Sequence, residues 1–168
     1  MESGSPSERD VVDEIRDGWR VLRPEIDTSA IEVAGRILRA AALLTRRGDE
    51  FLARFGLTRG EFDILSALRR HDAPQSPGLL RTVSLATGPA TTKRLRSLAE
   101  RALIVRSANP DDGRGALIEL TAAGVALIDE VFPQLLELEG TLLDGIPPGD
   151  SAQVAASLRL ALASIERP

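Results

Sequence analysis

Cysteine is absent from this sequence, and histidine occurs once, at His71. Without thiols there is no disulfide, no thiolate metal site and no cysteine-based redox switch. One imidazole argues against a zinc site. It also completes no convincing Ser–His–acid set, and "SLATGPA" lacks the lysine of a phosphate-binding loop, so an enzyme is not expected. No cofactor is implied. Aromatic residues make up only 3%, so Leu, Ala, Ile and Val must fill any core. No apolar run approaches the ~20 residues that span a membrane. The opening "MESGSPSERD" is polar and acidic and does not read as a signal peptide, which places the chain in the cytoplasm. What is present is 43% apolar and 27% charged residues over 168 positions, the composition of one compact unit or one core with helical extensions.

The net charge of −4 disfavours nucleic acid until its distribution is considered. From Arg81 to Arg114 there are seven basic and three acidic residues, while the remainder holds fourteen basic and twenty-two acidic. A basic middle in an acidic chain is a local electrostatic footprint. The plainer reading is a solvated helix face.

Along the chain, Ser7 can cap a helix to about Leu22, with Val12, Ile15, Trp19 and Leu22 at helical spacing. Pro24 ends it. Thr28 or Ser29 opens a long helix, apolar over too wide an arc for one seam, which Gly56 closes. Thr58 stands three residues before Glu61, a capping box, with Phe62, Leu65 and Leu68 then facing inward. "DAPQSPG" is a turn and "GLLRTVSLATG" a short helix. In the helix 88–102, Pro89 suits the first turn, and Leu95, Leu98, Ala99 and Ala102 form the buried stripe. "LIVRSA" and "ALIEL" are strands joined by "NPDDGRG". Thr121 caps a long helix that continues past Pro133, where a kink is expected. The last helix runs from Ser151 to Ile165.

Helix–turn–helix followed by a hairpin is a winged helix–turn–helix, so the fold class is mainly α, with an α+β winged element. Three segments follow: 1–57 with N-terminal dimerisation helices, 58–120 with the winged DNA-binding domain, and 121–168 with C-terminal dimerisation helices. The long flanking helices exceed what a winged core needs, and their broad apolar faces call for a second copy. On the helix 88–102, Thr91, Thr92, Lys93 and Arg94 would meet the major groove, with Arg96 in the same basic stretch. Arg81, ending the preceding helix, would position a phosphate. At the hairpin tip Asp112 could hold Arg114, and Arg114 would enter a narrow minor groove. Against this stands an ordinary hairpin with a stray arginine.

The stretch from "LTRGEFDILSALRR" through "TTKRLRSLAERALIVRSANPDDGRGALIELTAAG" resembles the MarR family of transcription regulators. The strongest marks are the D-x-R wing, Asp112-Gly113-Arg114, and the "LTAAG" helix start. The resemblance covers about residues 30–166. It implies a homodimer of intertwined terminal helices that binds double-stranded DNA at a palindrome, as a repressor released by a small anionic ligand. The extra N-terminal helix with "EIRDGWRVL", together with "EFDIL" and "LIVR", is similar to the urate-responsive HucR/PecS branch. That branch reads its ligand with a Trp, an Asp and two Arg, which correspond here to Trp19, Asp63, Arg94 and Arg106. A planar purine anion suits the donor fork of arginine and the ring of tryptophan. The alternative is a relative answering a phenolic acid, citrate or an antibiotic. Two departures stand out. Gly113 replaces a second wing arginine, and Ala102 replaces the glycine that commonly ends the recognition helix.

Overall fold

The computed structural model describes residues 9–83, 87–109 and 115–167. The chain forms two compact units, residues 1–47 and 48–168. The elements in order are α1 (Val11–Leu22), α2 (Ser29–Leu52), a 3-10 turn (Ala53–Phe55), α3 (Arg59–His71), α4 (Pro77–Val83) and α5 (Gly88–Glu100). Then follow β1 (Ile104–Ala108), β2 (Ala116–Leu120), α6 (Ala122–Leu142) and α7 (Ser151–Ile165). The boundary between the two units falls inside α2.

The first unit holds α1 and most of α2. Asp10, not Ser7, caps α1. Its carboxylate accepts from the amides of Val12 and Asp13, and the Asp10 amide donates to the Asp13 carboxylate. This is a capping box built with two aspartates. Val12 is buried against α2, where a Cβ on Gly35 would come within 2.8 Å of its Cγ1. The remaining hold is ionic: Arg36 reaches Asp10 at 2.9 Å and Asp13 at 2.8 Å, and Arg16 pairs with Glu32. The expected stripe is therefore only partly inward, because Ile15, Trp19 and Leu22 are exposed.

The second unit carries the winged helix–turn–helix. The Thr58–Glu61 capping box starts α3 as the sequence predicts, with the Thr58 amide 2.9 Å from Glu61 Oε2. Gly56, at φ 65°, closes the segment before it. Leu52, Ile64, Leu65, Leu80, Leu98, Ile118, Ile128 and Val131 are fully buried and form the centre of the core. Each such side chain contributes about 1.5–3 kcal/mol by leaving water. The hairpin pairs Ile104 with Leu120 and Arg106 with Ile118 in antiparallel register. Gln75 and Ile118 exchange backbone bonds of 2.9 Å in both directions, so the turn after α3 joins β2 as a one-residue bridge. Thr121 caps α6 through the Gly124 amide at 3.0 Å, and α6 runs through Pro133 without interruption.

Leu95 and Leu98 are buried on α5, but Ala99 and Ala102 are exposed. Ala102 adopts φ 54°, the left-handed conformation that a glycine normally supplies after a helix. The left-handed form costs an L-residue about 1–2 kcal/mol, and glycine at the same place costs about 0.4–1 kcal/mol in the unfolded chain. Ala102→Gly should therefore stabilise the protein by about 0.5–1 kcal/mol. Urea denaturation checks this, and a loss of stability would show that the alanine is unstrained.

Candidate functional site

The helix α5 presents two faces of opposite character. Thr92, Lys93 and Arg96 are exposed. Arg96 is tied only loosely to Glu100, at 3.8 Å, which leaves its guanidinium available to a phosphate. Thr91 differs from the expectation. It is only 3% exposed, and its hydroxyl donates back to the Thr87 carbonyl at 3.1 Å. Thr92 makes the same kind of bond, to the Gly88 carbonyl at 3.1 Å, but stays exposed, so burial is what removes Thr91 from the outward face. Arg81 is exposed in the last turn of α4. Asp112 and Arg114 lie outside the described residues.

The inward face of α5 meets α3. The Arg94 guanidinium lies over Gly60, where a Cβ would overlap its Cζ and Nε. Among the described residues, Arg94 Nη1 is the buried side-chain nitrogen without a hydrogen-bond partner. A buried guanidinium proton with no acceptor is costly, which makes the place a natural seat for an anion. Arg94 thus turns away from the face that carries Lys93 and Arg96, although the sequence placed it with them.

Asp63 sits one turn into α3 and is half-buried. Burial pushes its carboxyl above the ordinary value, with Asp49 adding to the rise, while Arg59 and Arg94 pull it down. Arg59 was not singled out by the sequence. It stands four residues before Asp63, so helical spacing puts the two on one face, and that spacing was the available signal. Its guanidinium lies over the Phe62 ring at 5.8 Å and occupies the space that a Cβ on Gly48 would need. Asp49 at 3.8 Å and Glu139 at 3.7 Å flank it. Two arginines seated on two glycines therefore bracket one half-buried carboxylate.

The structure brings Asp63 and Arg94 together and adds Arg59. Arg106 is exposed on β1, opposite Ile118. It is not among the charges that shift Asp63. Trp19 is 47% exposed on α1 and belongs to the first unit. Among the described residues no group of three or more His, Asp and Glu side chains is placed to hold a metal. No described helix is long and apolar enough to cross a membrane.

Comparison with known proteins fits this architecture. A family model described as the MarR family matches residues 55–115. The regulator PecS of Dickeya dadantii is 31% identical over 149 residues, covering 88% of this chain and 90% of its own. The repressor NicR of Pseudomonas putida is 29% identical over 112 residues, covering 66% of this chain and 69% of its own. Among solved structures, a mutant of MarR from E. coli matches with a TM-score of 0.66 at 26% identity, covering 77% of this chain and 96% of that one. The same mutant complexed with operator DNA matches with a TM-score of 0.68 at 24% identity, covering 86% of this chain and 97% of that one. The winged element, the caps that frame it and the length of the PecS match together place the chain in the MarR family of DNA-binding transcription regulators, not among enzymes.

Proposed function

We propose that this regulator is a cytoplasmic repressor that binds a palindromic operator as a homodimer and is released by a planar organic anion, urate or a related purine. The observation that carries the ligand reading is the buried, unpartnered Nη1 of Arg94 beside the half-buried Asp63. In this reading Arg94 and Arg106 hold the anion and Asp63 senses the added charge. Similarity to PecS supports the assignment at 31% identity.

The homodimer rests on surface chemistry. No residue of α7 is buried, while Leu160 is 75% and Ile165 74% exposed. In the first unit Val33 and Leu38 are also largely exposed. A 15-residue helix with no buried residue gains little from its own chain, and a second copy covering it is the economical answer. On this reading segments 1–57 and 121–168 dimerise, while 58–120 reads DNA.

The DNA-reading set becomes Arg81, Thr92, Lys93 and Arg96, with Asp112 and Arg114 from the wing. Thr91 is omitted for its burial. Removing Lys93 and Arg96 together by alanine should weaken binding to all duplexes. It should also lower the magnitude of the slope of log K against log salt by roughly 2, since each phosphate contact contributes about 0.9. An unchanged slope would move the phosphate contacts elsewhere.

The ligand is tested through the single tryptophan, Trp19. Urate, xanthine, salicylate and citrate are titrated against its fluorescence, with Arg94→Ala and Arg106→Ala as controls. Saturable quenching by urate, weakened in both variants, is the expected result. A response to salicylate or citrate instead would leave a family member with a different anion.

A further inference from the structure

The capping carboxylate of α3 makes more bonds than a cap requires. Glu61 is only 6% exposed, and its two oxygens serve different helices. Oε2 accepts from the Thr58 amide and from the Thr58 hydroxyl, both at 2.9 Å, which completes the capping box of α3. Oε1 accepts from the Ser97 hydroxyl of α5 at 2.6 Å, a bond that contributes nothing to the cap. Burial alone raises the Glu61 carboxyl, but the bonds from Ser97 and Thr58, with the charge of Arg101, outweigh it and hold the group below its ordinary range. Glu61 is therefore an ionised carboxylate enclosed between two helices.

Two further contacts lie on the same side of α5. Arg94 rests on Gly60, and Arg101 donates to the Gly56 carbonyl at 2.8 Å. Positions 94, 97 and 101 are spaced by three and four, so they form one stripe along the helix. That stripe meets the segment from Gly56 to Asp63, the approach to α3 and its first turn. Thr92, Lys93 and Arg96 project from the rest of the helix. α5 also packs against α4 and β1, and among these contacts the stripe supplies the polar, directional seat against α3 that helps to aim those three.

We propose, resting on the assignment of α5 to the major groove, that Glu61 and Ser97 are positioning residues for DNA reading: the half-buried Ser97–Glu61 bond fixes the rotation and tilt of α5 against α3, and so sets which base edges its exposed residues reach. The bond is directional and involves an ionised acceptor, so it defines orientation more sharply than the apolar contacts of Leu95 and Leu98. Base contacts need that orientation, whereas phosphate contacts tolerate its loss.

The test compares two duplexes, one selected by the wild-type protein from a random-sequence pool and one unrelated. Ser97→Ala is expected to weaken binding to the selected duplex about tenfold, the loss of one hydrogen bond to a charged group. Binding to the unrelated duplex should change less than about twofold, with an unchanged salt slope. Ser97→Thr keeps the hydroxyl and should restore the ratio. Glu61→Gln has one acceptor oxygen for two helices and should lower the ratio as Ser97→Ala does. Thr58→Ala removes one of the two bonds to Oε2 but keeps that from the Thr58 amide and the whole Ser97 bond, so it should lower Tm and change the ratio less than Ser97→Ala does. The proposal is overturned if Ser97→Ala keeps the wild-type ratio, or if it loses affinity equally for both duplexes, which is the signature of general destabilisation.

Discussion

Gly124→Ala should be the most damaging glycine-to-alanine change among the described residues, lowering stability by about 3 kcal/mol and Tm by roughly 10 °C. The reason is local and backbone-bound. A Cβ at Gly124 would overlap the Leu103 carbonyl oxygen and stand 3.1 Å from both the Leu103 carbonyl carbon and Leu120 Cδ2. Neither backbone atom can swing away. The Leu103 carbonyl accepts from the Thr121 amide at 3.1 Å, and the Leu103 amide donates to Leu98 at 3.0 Å. The Thr121 hydroxyl is held as well, donating to the Ala102 carbonyl at 2.7 Å while capping Gly124. Relief of the clash must therefore pull the start of α6 off the start of β1 and break the cap. A loss of about 3 kcal/mol is a large share of the 5–15 kcal/mol that domains possess. Gly140 is the control. It also lies in α6 but meets nothing within 4 Å, so Gly140→Ala should stabilise by up to about 1 kcal/mol. Thermal unfolding of the two variants reads both effects, and equal Tm values would remove the steric account.

The parts of the fold that were legible in the sequence are those decided within four residues. Thr58 with Glu61, Gly56, Pro89 and Thr121 were each read correctly, because caps and left-handed closures are bonds between a side chain and its own neighbouring backbone. The one misplaced cap shows the limit. Ser7 lies outside the described residues, and Asp10 caps the helix with Asp13 accepting from its amide, a shorter acid than the usual partner. The buried stripe of α5 was read too broadly for a related reason. Periodicity assigns a face to every position, but Ala99 and Ala102 bury little wherever they point, so the pattern could not place them.

The candidate site was legible by residue type and illegible in its packing. Asp63 and Arg94 lie close enough for the arginine to pull the carboxyl down. What no spacing revealed is the reason they meet: Gly60 lacks the Cβ that would block the Arg94 guanidinium. Helical exposure also placed Arg94 and Thr91 with Lys93, whereas Arg94 lies over Gly60 and Thr91 is buried. Glu61 was read as a cap and only as a cap, because its second oxygen bonds to a residue 36 positions later. Arg59 was missed despite its helical spacing from Asp63.

Asp63→Asn should produce a protein that is more stable at neutral pH and less able to obey its ligand. Asp63 has a carboxyl raised above its ordinary value of 3.8 by burial and by Asp49, against the pull of Arg59 and Arg94. A raised carboxyl favours folding when protonated, so its contribution is present below the unfolded value and is lost as pH rises through the folded value. At pH 7 the wild type carries that disadvantage and the asparagine does not. The variant should therefore unfold at a higher temperature at pH 7, with the gap closing as pH falls through the elevated pKa toward 3.8. A destabilising carboxylate retained beside a buried arginine is explained if it acts on the ligand. On the proposed reading, an anion drawn to Arg94 would be repelled by Asp63, which stands on α3 while Arg94 stands on α5, and the repulsion would strain the contact between the two helices. Without that charge, urate should bind at least as tightly. The urate concentration that releases a selected duplex should nevertheless rise about tenfold, within the usual range of coupling between two sites. Binding is read from Trp19 fluorescence, and release from gel mobility of the duplex. Full retention of the DNA response would sink the repulsion mechanism even if urate is the ligand. A variant with higher Tm and unimpaired urate binding that no longer lets go of DNA would show that the carboxylate is kept for its repulsion, at the expense of the fold.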